Sequence, residues 1–152
     1  MNVALGLVLS GLLSAQALGS LYEDGMAARR RGDTAAARAT YERLLKEEPQ
    51  SAGALEGMVL VSLSEGKNEE ALDYLERWQK MGDSAYIQSL KATAYRRLGR
   101  RRDLAAAVIA QAALEPADLL LARRADSYLG EDSRGLMPFG ALYKVLSQEG
   151  LE

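Results

Sequence analysis

The sequence predicts an all-α protein built from short antiparallel helix hairpins. Alanine, leucine, arginine and glutamate dominate its 152 residues, Pro49, Pro116 and Pro138 are the only prolines, and β-branched residues are few, which favours helix nearly throughout. Gly32, Gly66 and Gly99 each close a helical stretch at spacings of 34 and 33 residues, a fixed period of the kind that marks a repeat array. Seventeen residues beyond each glycine stands a break: Pro49, Asp83 and Pro116. Helix, tight turn, helix and break are thus told three times.

Val3 to Leu13 form an uncharged apolar run, followed by Ser14, Ala15, Gln16 and Ala17 in the small-x-small pattern of a cleavage site. The run is shorter than the ~20 residues of a comfortable membrane span. Residues 1–17 are therefore expected to be a signal peptide cleaved near Ala17, carrying the chain to the periplasm or cell envelope. No Lys or Arg precedes the run, and the alternative is a helix packed on the end of the array in a cytoplasmic protein.

Residues 18–116 hold the three repeats. Gly25, Ala28, Gly32, Ala37, Tyr41, Leu44 and Pro49 form the first, in which Gly25 is expected to let the first helix approach the second at Ala37 while Tyr41 and Leu44 fill the space before the next hairpin. Gly66, Ala71, Leu75 and Trp78 form the second, with Val59 at the small-residue position, Asp83 in place of proline, and Trp78 expected in the inter-hairpin core. The third keeps Ala92, Tyr95, Gly99 and Pro116, but Leu104 stands where alanine belongs and Gln111 where an apolar residue belongs. A one-residue rotation bringing Ala105, Ile109 and Ala112 inward is the expected adjustment.

Residues 117–152 are either capping helices or a degenerate fourth repeat. Ala117 to Leu129 read as a seventh helix able to cover the third hairpin, since terminal repeats need a lid. A loop from Gly130 to Met137 then leads to Pro138, placed to open a last helix with Phe139, Leu142, Tyr143 and Leu146 on one face.

These residues and spacings resemble the tetratricopeptide repeat, most clearly over the first hairpin and across residues 18–116 as a whole. The resemblance implies a right-handed superhelical array of hairpins whose first helices line a concave groove that holds partner peptides. Carried over residue by residue, the inner face comprises Tyr22, Met26, Arg29 and Arg30, then Glu56, Leu60 and Leu63, then Tyr86, Ser89, Thr93, Arg96 and Arg97. Tyr22 and Met26 stand where one branch of the family carries a lysine and an asparagine that grip terminal carboxylates, so a carboxylate clamp is not expected. A groove basic at its rim and apolar in its middle suits an acidic or mixed acidic-apolar segment of another protein.

The chain has no cysteine and no histidine, which removes thiol nucleophiles, disulfides and the usual zinc ligands and general base. The formal charge of −2 offers no bulk attraction to nucleic acid. Glu47–Glu48 and Glu69–Glu70 are adjacent pairs pointing about 100° apart on a helix, poor partners for acid–base work. The expectation is a non-enzymatic protein without cofactor or metal, acting as an exported adaptor or scaffold that binds a peptide or helix of an envelope assembly. Two rivals are a small cytosolic chaperone for a secreted or unstable client and a self-assembling scaffold.

Overall fold

A computed structural model describes the backbone of residues 3–129 and the side chains of residues 16–125 and 127. Among the described residues there are seven helices and no strand: α1 (Val3–Arg30), α2 (Thr34–Glu47), α3 (Ala52–Ser64), α4 (Asn68–Gln79), α5 (Ala85–Arg97), α6 (Arg101–Leu114) and α7 (Leu119–Leu129). The expected last helix after Pro138 lies outside the described residues. The chain divides into two compact units, Met1–Met81 with α1–α4 and Gly82–Glu152 with α5–α7. The fold class is all-α, of the helical-hairpin solenoid kind.

The three periodic glycines do what their spacing implies. Gly32, Gly66 and Gly99 have φ of 77°, 76° and 70°, the left-handed region in which a Cβ is penalised. Around each, the same pair of hydrogen bonds closes the preceding helix: Gly32 N to Arg29 O and Asp33 N to Ala28 O, Gly66 N to Leu63 O and Lys67 N to Ser62 O, Gly99 N to Arg96 O and Arg100 N to Tyr95 O. This is the Schellman pattern, which satisfies the last helical carbonyls and reverses the chain within three residues. The next helix then starts on a side-chain cap where one is present. Asp33 accepts from Ala36 N at 3.0 Å to open α2, and Ser84 accepts from Ile87 N at 3.2 Å to open α5. Asp83, standing where the other repeats have proline, accepts from Ser84 N at 2.8 Å and takes the Gln88 amide on both carboxylate oxygens.

In the first unit the core gathers Ala28, Ala37, Tyr41, Leu44, Ala54, Met58 and Val61. Tyr41 of α2 is 1% exposed, and its ring is held between two glycines. A Cβ at Gly25 of α1 would lie 2.6 Å from the ring, and one at Gly57 of α3 closer still. The atoms nearest to such a Cβ at Gly25 all belong to Tyr41. Burying a residue of this size contributes roughly 2–3 kcal/mol. Trp78, expected in the core, is only half-buried, whereas Leu75 one turn earlier is fully buried.

The second unit corrects the expected rotation of α6. Leu104, Ala107, Val108 and Ala112 are buried while Ala105 and Ile109 are half-buried, so α6 keeps the register of α2 at Leu104 and Val108. Leu104, at the small-residue position, is buried in one cluster with Ala92, Ala107, Val108 and Ala112. On α7, Leu121, Ala122 and Ala125 are buried, but Leu119 and Leu120 are 63% and 77% exposed. Only the former set covers the preceding hairpin.

Candidate functional site

The first-unit residues of the expected inner face come from α1 and α3. Five of the seven, Tyr22, Met26, Arg29, Glu56 and Leu60, line a single cavity of about 90 Å³ together with Tyr41, Gly53 and Gly57. Helix α3 lacks side chains at two points, Gly53 facing Tyr22 of α1 and Gly57 facing Tyr41 of α2. The Tyr22 ring rests where a Cβ at Gly53 would lie 2.6 Å from it, and Tyr41 rests against Gly57. The two tyrosine rings are 6.5 Å apart at 52°, a tilted pair within the favourable range for aromatic contact.

Arg29 is exposed at the edge of this cavity, its guanidinium close enough to act on the Tyr41 hydroxyl. Burial raises the tyrosine's pKa, and the guanidinium opposes that rise. The cavity thus combines an aromatic face, the thioether of Met26, a cation and the Glu56 carboxylate. That mixture can seat a small apolar side chain while engaging polar groups beside it. Arg30 is exposed and outside this lining. Leu63, expected on the open face, is 7% exposed and is packed inside, although Arg29 and Arg96 at the same place ahead of their glycine turns are exposed.

In the second unit, Tyr86, Ser89, Thr93, Arg96 and Arg97 recur along α5. Tyr86 is 46% exposed, and both arginines are exposed at the helix end. The hydroxyls turn back onto their own helix: Ser89 donates to Tyr86 O at 2.7 Å and Thr93 to Ser89 O at 3.0 Å.

Two larger hollows lie elsewhere in the first unit. One of about 270 Å³ runs between Leu18, Gly19, Tyr22, Leu44, Glu48 and Ser51, and one of about 590 Å³ is bordered by Pro49, Gln50, Leu55, Arg77, Lys80 and Met81. No group of three or more metal-ligating side chains gathers among the described residues.

Two features lie beyond what the sequence signals. The seats at Gly53 and Gly57 are marked there only by two glycines four apart inside an apolar helix. An ion-pair cluster tying the two hairpins of the first unit has no local signature at all: Arg38 of α2 meets Glu65 and Glu70, and Ser62 of α3 donates to Glu70 at 2.9 Å.

Hairpins closed by identical glycine turns define a helical-repeat fold. Residues 22–86 match the family model described as tetratricopeptide repeat. Over this segment the chain is similar to tetratricopeptide repeats, and the glycine-closed helix hairpins of the described residues agree with that fold. Two solved structures share the fold. MamA, residues 41 to end, from Desulfovibrio magneticus RS-1 is similar with a TM-score of 0.65 and 19% identity, over 89% of this chain and 78% of that one. A crystal structure of MamA protein is similar with a TM-score of 0.67 and 17% identity, over 89% and 74%. No curated protein matches the chain.

Proposed function

We propose that this protein is an exported adaptor or scaffold that holds a peptide or helix of a partner protein on the faces of α1, α3 and α5, within a cell-envelope assembly. The observation that carries the reading is the convergence of Tyr22, Met26, Arg29, Glu56 and Leu60 on one cavity. The arginines at the edges, Arg29 and Arg30 on α1 with Arg96 and Arg97 on α5, favour an acidic or mixed acidic-apolar segment. Export is supported by the apolar run and the Ala15-Gln16-Ala17 pattern, and intact mass of secreted protein beginning at Leu18 is the result it requires.

A crosslinked pull-down from the native host tests the binding face, comparing wild type with a variant carrying Arg29→Glu, Arg30→Glu, Arg96→Glu and Arg97→Glu. A partner captured by wild type and lost with the folded variant supports the reading. Equal capture by both removes these arginines from the site.

One observation favours the cytosolic chaperone. Helix α1 is unbroken from Val3 to Arg30, so the apolar segment continues directly into the first hairpin, as an integral element of an uncleaved protein would. Among the described residues no helix is long and apolar enough to cross a membrane. Retention of residues 1–17 on protein purified from the cytosol, with an unstable client bound, is the outcome that selects this reading.

A further inference from the structure

The hollow of about 590 Å³ in the first unit differs in charge from the two smaller ones described with it. Pro49 and Gln50 from the turn after α2, Leu55 of α3, and Arg77, Lys80 and Met81 at the end of α4 line it, giving two cations and no carboxylate. Each of the smaller hollows includes a carboxylate, Glu56 beside Arg29 in one and Glu48 in the other. The cationic lining stands in an acidic unit, since residues 1–81 hold nine Lys and Arg against twelve Asp and Glu, a net of −3. Asp73 and Glu76 come one turn before Arg77 and Lys80, yet among the described residues neither makes an ion pair with either cation.

A helix C-terminus favours cations, which accounts for the sign of Arg77 and Lys80 at this end of α4. It does not account for the direction of Arg77. Its Nη2 reaches the turn after α2 and donates to Pro49 O at 3.1 Å, and its guanidinium lies 5.6 Å over the Tyr74 ring. The guanidinium is thus held in place, while its Nε and Nη1 make no hydrogen bond among the described residues. A fork held in this way makes paired bonds to a carboxylate and gives up less rotamer freedom in doing so. Beside it, Leu55 and the 46%-exposed Met81 supply apolar surface, and a thioether adapts to side chains of varied shape.

We propose that this hollow is a second peptide site, which takes an acidic segment with an apolar residue next to its carboxylate. The carboxylate lies on Arg77 and Lys80, and the apolar side chain lies on Leu55 and Met81. The hollow shares no lining residue with the cavity of Tyr22, Arg29 and Leu60, so mutation separates the two sites.

Fluorescence anisotropy of the full chain with a labelled peptide of alternating Leu and Glu tests this, beside one peptide with Gln for Glu and one with Ser for Leu. The expected result is saturable binding of the Leu–Glu peptide that weakens as salt is raised. Either change in the peptide should weaken it about tenfold or more, and so should Arg77→Gln with Lys80→Gln at unchanged helical circular dichroism. Arg77→Lys keeps the charge but not the fork and should lose affinity several-fold. Met81→Glu leaves the Pro49 contact in place and should weaken binding as well. All of this should persist in the variant carrying Arg29→Glu, Arg30→Glu, Arg96→Glu and Arg97→Glu. Binding lost in that variant but kept with Arg77→Gln and Lys80→Gln assigns the peptide to the faces of α1, α3 and α5 and overturns the second site alone. Absence of binding, equal binding of the Gln or Ser peptide, or indifference to the Arg77, Lys80 and Met81 changes overturns it too.

Discussion

Arg38 grips Glu70 with both terminal nitrogens, Nη1 donating to Oε1 and Nη2 to Oε2, each at 2.8 Å. The same guanidinium reaches Glu65 Oε2 at 2.8 Å, and Lys67 approaches that oxygen from the other side at 2.8 Å. One side chain of α2 thereby joins the turn after α3 to the start of α4. Arg38 is 17% exposed at its side chain, so the cluster is shielded more than an ordinary surface pair.

Replacing Arg38 by methionine keeps the stem packing and removes the fork. Glu65 and Glu70 then face each other without a shared cation. Urea denaturation should show a loss of about 1–3 kcal/mol, above the range of exposed pairs and below that of fully buried ones. Arg38→Lys should recover only part of it, because an ammonium cannot make the bidentate contact.

Acid should find the same cluster. The hydrogen bonds from Arg38 hold both carboxyls below the usual range, with Lys67 adding to the effect on Glu65 and the Ser62 hydroxyl to that on Glu70. The unfolded chain therefore takes up these protons at higher pH than the folded one, and stability rises with pH across that window. Its contribution is complete above the ordinary glutamate value of 4.5 and disappears as pH falls through the depressed values. Denaturation midpoints measured between pH 6 and about pH 3 should fall more steeply for wild type than for Arg38→Met.

Gly57→Ala should cost about 1–3 kcal/mol, because the added methyl meets the Tyr41 ring and that ring has no exposed side to move toward. Combining it with Tyr41→Leu should cost less than the two changes summed, which a double-mutant cycle reads directly.

Gly19→Ala should act in the opposite direction. Gly19 lies inside α1, where an added methyl would meet nothing within 4 Å, so alanine is expected to stabilise by about 0.5–1 kcal/mol through helix propensity. Gly66→Ala, at φ of 76°, should instead destabilise by about 1–2 kcal/mol. Thermal melts of the two variants should shift in opposite directions.

The hairpins are legible in the sequence because their turns are local: a glycine in the left-handed region and its two closing bonds need only six residues of chain. The inner face is legible in part, since helical spacing groups Tyr22, Met26 and Arg29 whatever the packing. What spacing cannot supply is depth. Leu63 shares the α3 helix with Leu60, yet one is buried and the other half-buried, a difference decided by the helix packed against it. Long-range polar contacts are equally hidden: Arg38 and Glu70 are 32 residues apart, and no local pattern pairs them. The α6 register misleads for a related reason: Leu104 is buried where the repeat pattern prefers a small residue, and its local sequence does not mark that.

The ring of Tyr41, pressed between Gly25 and Gly57, works as a gauge block between consecutive hairpins of the first unit. Helices held at a spacing set by one rigid aromatic cannot slide toward each other, and parting either one exposes the same buried ring to water. Opening of the first hairpin is thereby coupled to release of α3. Amide hydrogens in the second half of α1 and in α3 should then exchange as one cooperative block, rather than the outer hairpin fraying first.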